Sequence, residues 1–495
     1  MNSKVRVRLA PSPTGYFHVG TARTAIYNYL FARHHGGTFV LRIEDTDLDR
    51  SERKFVDVIL EGLTWLGTPW DEGPYYQSER THLHRPYVEA LLKSGRAYLC
   101  FCTPQDLEAE REAARIAKAD WKYSRKCLHL DPETRRRYEA EGRPAAVRLA
   151  VPNLEATSFH DLVGGTFARR NDDIEDFVIA RSDGTALYNF AVVVDDHLMG
   201  ITHVIRGNDH ITNTYKQCLL YDALEWTRPV FAHLPLILRE DRSKVSKRKG
   251  DPSVTDYRDR GYLPEALLKY LCLLGWSAGD DREVYTLEDL VSAFELERVS
   301  AANPVFDAAK LEWLNGEYIR CQPVSSLASM AAPRFEESGL ATRTELEALG
   351  LRYQAMIGCL QERAKTLADF PRLGRFFFEP PDAYDPEGVG RYFAEPSAPD
   401  RLKRLAERWE SALPHDKAAL ESAMRELAAK DGEKLAAWIH PARLALTGAT
   451  AGPGLFELAS ILGPGECVNR LRRAAERIKS GSVSQVGSHP KESTC

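Results

Sequence analysis

Two short segments hold the residue types that chemistry on a nucleotide needs. The first, Pro11-Ser-Pro-Thr-Gly-Tyr-Phe-His18-Val-Gly20-Thr21, joins a strand-like alternation to a helical pattern. Two prolines stiffen such a loop and Gly20 lets a ligand approach the backbone. The free amides and positive dipole end of the following helix suit a phosphate. An imidazole in the first turn, His18, can donate to the oxygens of a phosphorus centre under attack. Alone, an HxG also reads as an ordinary helix start. The second segment is Lys244-Val-Ser-Lys247-Arg248, within a run that packs five basic residues into eight positions. Lysines three apart on a mobile loop can close over a triphosphate and neutralise charge developing on pyrophosphate. By itself this is also a plain solvated stretch. The two segments in one chain, in this order, are far more specific than either.

A third group is Cys100-Phe-Cys102 with Cys127-Leu-His129, two tight pairs inside a charged stretch with little core of its own. Two soft ligands at each end of such a loop suit a closed tetrahedral zinc site, against the alternative of reduced core thiols. The other cysteines show no partner pattern.

Positioning these groups takes a strand over residues 5–10, a helix over 21–34 and a second strand over 38–43, a beta-alpha-beta unit of a parallel sheet. From about residue 98 the pattern changes to charged helix and short strands, which reads as an insertion. Apolar runs at 177–180, 190–194 and 203–205 read as the parallel sheet resuming. Beyond residue 250 the periodicity is almost wholly helical. Residues 380–399 read as a long connection, and 480–495 as a disordered tail.

With 495 residues, 43% hydrophobic and 28% charged, the chain has the length and composition of three or four globular domains. A net charge of −5 argues against indiscriminate coating of nucleic acid but leaves room for local basic surfaces. No apolar run reaches membrane-spanning length, and the first residues lack a signal-peptide core. A cytoplasmic address is expected, with the nine cysteines mostly reduced.

On these residues the chain resembles the class I aminoacyl-tRNA synthetases, and most closely the bacterial glutamyl-tRNA synthetases. His18-Val-Gly-Thr21 and Lys244-Val-Ser-Lys-Arg248 stand for the HIGH and KMSKS signatures of that family. Arg8-Leu-Ala-Pro-Ser-Pro-Thr-Gly, Arg42-Ile-Glu-Asp-Thr-Asp, Tyr188-Asn-Phe-Ala-Val-Val-Val-Asp-Asp-His and Ile201-Thr-His-Val-Ile-Arg-Gly-Asn-Asp-His follow in the expected order. Two departures stand out: Thr21 leaves His18 as the only imidazole of its motif, and Asn208 occupies a position usually held by Glu.

The resemblance implies an α/β fold: a Rossmann-type catalytic domain in two halves, 1–97 and 188–250, split by an acceptor-stem-binding insertion at 98–187. A stem-contact region at 251–325, an all-α anticodon-binding region at 326–479 and the tail at 480–495 complete it. It implies activation of L-glutamate by ATP, then transfer to the terminal adenosine of tRNA(Glu). ATP would be bound by Pro11, His18, Gly20, Thr21, Lys244, Ser246, Lys247 and Arg248, with Mg2+ on the phosphates. His18, Lys244 and Lys247 would stabilise the reacting charge.

A substrate with two carboxylates and one ammonium needs two guanidinium partners and one acid. Arg8 and Arg206 supply the first, Arg8 on the side-chain carboxylate, and Glu44 the second. Ala10, Ser12, Tyr188 and Val192 complete the pocket by resemblance. An alternative makes Arg8 and Glu44 a structural ion pair. One structural zinc on Cys100, Cys102, Cys127 and His129 is implied, as is a monomer, and Arg363 resembles a position that rejects the glutamine anticodon. The rivals are a relaxed enzyme that also charges tRNA(Gln), and a small-molecule nucleotidyltransferase, which would have no use for the long helical region.

Overall fold

The computed structural model describes residues 4–46, 52–153, 156–245 and 251–483. Ser246, Lys247 and Arg248, and the expected tail from residue 484 on, lie outside the described residues. No described helix is long and apolar enough to cross a membrane. The chain forms two compact units, residues 1–259 with 264–311, and 260–263 with 312–495.

The first unit holds the described strands: β1 (Arg6–Leu9), β2 (Thr38–Ile43), β3 (Glu72–Tyr76), β4 (Ala97–Cys100), β5 (Ala146–Leu149), β6 (Ala156–Asp161), β7 (Gly165–Arg170), β8 (Val178–Ala180), β9 (His203–Gly207) and β10 (Val230–Leu234). β1, β2 and β3 pair in parallel. β9, β10 and β6 also run parallel, with β7 antiparallel on the outer edge of β6. The two sheets adjoin at β1. Thr202, just ahead of β9, donates its N–H to the Arg6 carbonyl and accepts the Arg6 N–H on Oγ1, both at 2.9 Å. The chain therefore steps outward from β1 through β2 to β3 and resumes on the other side of β1 at β9. Between β1 and β9 lies a topological switch point, the place where open α/β sheets bind ligands.

The helix Val19–His34 makes the crossover from β1 to β2 and buries Ala22, Ile26 and Leu30, the i, i+4, i+8 stripe that faces a sheet. Two expectations need correction. The run 190–194 is not a strand: it lies in the helix Tyr188–Leu198, where all five residues are buried. A continuous apolar run carries neither period, so a fully buried helix and a buried strand look alike in sequence. β8 does not resume the parallel sheet either, but pairs antiparallel with β5 in a separate sheet, β4-β5-β8. β6 and β7, which belong to the stretch read as an insertion, are hydrogen-bonded onto the β9-β10 pair through β10.

The second unit is helical. Its longest helices include Val324–Glu337, Ala398–Glu410, Lys417–Lys430 and Pro464–Lys479. Leu402, Leu405 and Trp409 on one of them, and Cys467, Leu471 and Ala474 on another, repeat at three and four residues and are buried. Trp409 satisfies its indole N–H on the Leu420 carbonyl at 3.1 Å. The buried Arg470 caps two helical segments, donating to the carbonyls of Phe376 and Leu446 at 2.6 and 2.7 Å. The segment expected as a long connection contains short helical turns at Pro386–Gly388 and Val389–Phe393.

Candidate functional site

A cavity of about 400 Å³ opens at the switch point, walled by the ends of β1 and β9, the loop after β1 and the start of the first helix. Arg8, Ala10, Pro11, Ser12, Glu44, Tyr188 and Arg206 reach its wall, as do His18, Gly20, Thr21 and Lys244. Val192 does not: it is buried within its helix at 1% exposure, away from the lining.

His18 sits in extended conformation as the N-cap of the first helix, its Nδ1 accepting the N–H groups of Gly20 at 3.1 Å and Thr21 at 3.3 Å. Backbone amides only donate, so Nδ1 carries no proton and the ring's N–H is on Nε2. Structural and chemical readings of this histidine therefore coincide: the cap fixes the ring and leaves Nε2–H, near Thr21 Oγ1 at 3.3 Å, as a donor at the cavity. A side chain at residue 20 would begin with a Cβ only 3.0 Å from the His18 ring. The glycine thus makes room for the folded-back imidazole, which any side chain there would crowd.

The amino-acid end of the cavity is a buried chain of charges. Arg8 donates Nε to Asp196 Oδ1 at 3.1 Å and Nη2 to Oδ2 at 3.3 Å. Arg42, with no exposed surface, donates Nη1 to Asp196 Oδ1 at 2.7 Å and Nη2 to Glu44 Oε1 at 3.3 Å. Arg8 and Glu44 are thus not a direct ion pair; Asp196 and Arg42 stand between them. Burial raises the Glu44 carboxyl above its ordinary range against the pull of Arg42 and Arg8. Asp196 stays low despite burial because both guanidinium groups face it. A neighbouring clamp holds the same helix: Asp195 accepts from Arg80 Nε at 2.8 Å, Gln77 Nε2 at 2.9 Å and His84 Nε2 at 3.2 Å.

On the adjoining strand β9, Arg206 is buried, with Nη1 lacking any partner among the described residues. An unpaired buried guanidinium nitrogen is costly, and a carboxylate in the cavity would satisfy it. Tyr188 hydrogen-bonds His210 Nδ1 at 3.0 Å, and burial pushes its phenol up to about 12. His210 is held down to about 4 by burial and the charge of Arg206, so its imidazole is neutral. Lys244 rests 3.4 Å from Asp209. Arg42, Asp196 and Asp209 all lie inside the sequence motifs, but nothing in the motifs marks a role for any of them.

The cysteine group is also assembled, with one change. Cys100, Cys102 and Cys127 bring their sulfurs within 4.8 Å of one another, whereas His129 is exposed and outside the cluster. The Tyr123 hydroxyl lies 3.4 Å from Cys100 Sγ and 3.5 Å from Cys102 Sγ. Arg148 donates Nε to Cys100 Sγ at 3.3 Å. Together with the Cys127 and Tyr123 contacts, it holds the Cys100 thiol well below its ordinary value, the form a metal requires.

In the helical unit Arg363 follows the helix Leu351–Gln361, is exposed, and makes no side-chain hydrogen bond or ion pair with the described residues. Its charge joins burial in lowering the pKa of Arg443, so two guanidinium groups share one neighbourhood.

Comparison with known proteins agrees with this geometry. Residues 4–313 match the family described as tRNA synthetases class I (E and Q), catalytic domain, and residues 326–475 match an anticodon binding domain. A glutamate–tRNA ligase of Caldanaerobacter subterraneus is 44% identical over 97% of this chain and 99% of its own length. One from Koribacter versatilis is 46% identical over 96% and 99%. Among solved structures, a glutamate tRNA ligase from Elizabethkingia meningosepticum, in complex with its amino acid, superimposes with a TM-score of 0.89 at 32% identity, covering 96% of this chain and all of that one.

Proposed function

The chain belongs to the class I tRNA synthetases of the glutamate and glutamine group, and we propose from this membership and its own cavity that it joins L-glutamate to tRNA(Glu) with ATP. The observation that carries the choice of amino acid is the pairing of Arg8 and Arg206, on adjoining strand ends, with Glu44 between them in charge. A substrate with two carboxylates and one ammonium complements that set; an uncharged side chain would offer one carboxylate to two guanidinium groups.

The amino acid's carboxylate attacks the α-phosphate of ATP, giving glutamyl-adenylate and pyrophosphate. The ribose of the terminal adenosine then takes the glutamyl group. No covalent bond to the protein is needed, so the residues act by positioning and by charge. His18 donates Nε2–H to the phosphate oxygens. Lys244 reaches the cavity wall beside Asp209, with Pro11, Gly20 and Thr21 lining the same cavity. Ser246, Lys247 and Arg248, outside the described residues, are assigned to the triphosphate by their motif alone, Lys247 as a second cation for the departing pyrophosphate. Mg2+ accompanying ATP neutralises part of the phosphate charge.

Three cysteine sulfurs grouped within 4.8 Å fit a soft, tetrahedral ion, which would draw off their remaining protons, and zinc there would tie the loop ends at residues 100–102 and 127 as a structural clip. Tyr123, whose hydroxyl is 3.4 and 3.5 Å from two of the sulfurs, rather than the exposed His129, would supply the fourth ligand.

Arg363 favours tRNA(Glu) over tRNA(Gln). A guanidinium unclaimed by other side chains can donate to the last cytosine of the glutamate anticodon, but faces a donor edge on guanine, a difference of roughly 1 to 3 kcal/mol. Charging purified tRNA(Glu) and tRNA(Gln) with labelled glutamate tests both points. Glutamate should enter tRNA(Glu) preferentially, and Arg363→Gln should narrow the ratio. Equal charging by the unaltered protein would favour the relaxed alternative, and no charging of either would reject the function.

A further inference from the structure

Arg206 arrives in the cavity held on three sides. Its Nε donates to His233 Nε2 at 3.2 Å, and its Nη2 donates to Thr214 Oγ1 and Gln217 Oε1 at 2.7 Å each. Only Nη1 is left over, buried and unpartnered among the described residues. Behind His233 stands Asp161, at the end of β6, with Oδ2 2.7 Å from His233 Nδ1. The same carboxylate accepts the His233 backbone N–H at 2.9 Å and the Gly164 N–H at 2.8 Å. Both side chains are buried, at 3% and 0% exposure.

The partners dictate where the imidazole proton lies. An arginine Nε–H can only donate, so the ring nitrogen it faces must offer a lone pair. The proton then sits on Nδ1 and is given to Asp161. The other tautomer would set N–H against N–H beside Arg206 and turn a lone pair toward a carboxylate 2.7 Å away. A doubly protonated ring would lose the Arg206 bond and add a like charge beside it. The groups facing this ring are Asp161, Arg206 and Thr214, with Arg8 and His210 further off and Phe159 and Phe231 packed against it.

We infer that Asp161 and His233 are positioning residues for amino-acid recognition: Asp161 fixes the Nδ1–H tautomer of His233, whose Nε2 turns the Arg206 guanidinium so that its unpartnered nitrogen meets a substrate carboxylate. The inference rests on the role proposed for Arg206. Burial and the nearby Arg206 keep the His233 pKa below its ordinary value against the pull of Asp161. The ring therefore stays neutral at neutral pH, and the device fails only on the acid side of the ordinary imidazole range. It also ties substrate recognition to β6, a strand from the stretch that interrupts the catalytic domain.

The test uses the full chain, with initial rates of tRNA(Glu) charging at saturating ATP and tRNA and varied glutamate. His233→Leu, which removes the acceptor, should raise the glutamate KM about tenfold or more with the ATP KM unchanged. His233→Gln, whose amide oxygen can accept the Arg206 Nε–H, should recover most of that loss. As pH falls from about 7 to about 5, the wild-type glutamate KM should rise relative to that of the Gln variant, which has no ring to protonate. A folded Leu variant with a wild-type glutamate KM, a Gln variant as poor as Leu, or a flat pH ratio would each overturn the inference. If the Leu variant does not fold, the rescue and pH comparison of the Gln variant decides. Failure of the wild-type protein to charge glutamate at all would instead reject the functional reading.

Discussion

Asp196→Asn perturbs the centre of the buried charge chain while preserving its shape. In the native arrangement Asp196 receives Arg8 at 3.1 and 3.3 Å and Arg42 at 2.7 Å, and Arg42 also reaches Glu44. Two guanidinium groups are balanced by two carboxylates. The asparagine removes one negative charge and turns an amide donor toward a donor. Breaking a buried ion pair by removing one partner typically costs about 3–5 kcal/mol. The remaining amide oxygen still accepts from one arginine, so the lower end, about 3 kcal/mol, is expected. Arg8 would also lose the group that orients it before substrate arrives, and the glutamate KM should rise about tenfold or more with little change in the ATP KM. Urea unfolding followed by circular dichroism reads the stability, and charging kinetics read the KM. A variant with an unchanged urea midpoint and an unchanged glutamate KM would show that neither arginine depends on Asp196.

Three further outcomes are expected. His18→Ala loses both cap and imidazole, whereas His18→Asn restores a strong cap; thermal stability should recover in Asn while the charging rate stays down by about 10²-fold, and recovery of both would reduce His18 to a cap. Freshly purified, chelator-free protein should contain about one zinc per chain; metal analysis should find it lost in Cys102→Ser and kept in His129→Ala, and the reverse pattern would restore the histidine as the ligand. Asp195 is opposed by burial but pulled down to about 2 by His84, Arg42, Gln77 and Arg80. A depressed carboxylate stabilises the fold above its ordinary pKa and ceases to do so as pH falls through the lowered one. Asp195→Asn should therefore cost roughly 2 kcal/mol at neutral pH, a deficit in urea midpoints that shrinks below about pH 4, and a deficit independent of pH would contradict the assignment.

What was legible in the sequence followed from residue type plus spacing within one segment. The loop from Pro11 to Thr21, the strands at 38–43 and 203–207, and the helix beginning at Pro104 carry their own signals: proline, glycine, alternation and a capping box at Thr103. What was not legible depends on partners far apart in the chain. Asp196 meets Arg8 across 188 positions, and Asp161 meets His233 across 72, so no local pattern marks either pair. His129 fits a metal-ligand spacing, yet spacing says nothing about which face of a turn is exposed, and Tyr123 lies nearest the sulfurs instead. Val192 follows Tyr188 by one helical turn, but its side chain packs inside the protein, a distinction that tertiary packing alone makes.

The seam between β1 and β9 has a consequence for how the chain is made. Arg6 bonds to Thr202, a residue 196 positions later. A ribosome adding about 5–20 residues per second takes roughly 10–40 s to cover that distance. Throughout this interval β2, with β3 beyond it, can pair with β1 on one side, while its other side offers bare N–H and C=O groups flanked by Val7 and Leu9, both of which are fully or almost fully buried in the finished fold. An open apolar strand edge is what another nascent chain can pair with. The switch point that makes room for a substrate in the mature protein is, during synthesis, an edge open to wrong pairing until residue 202 has been added.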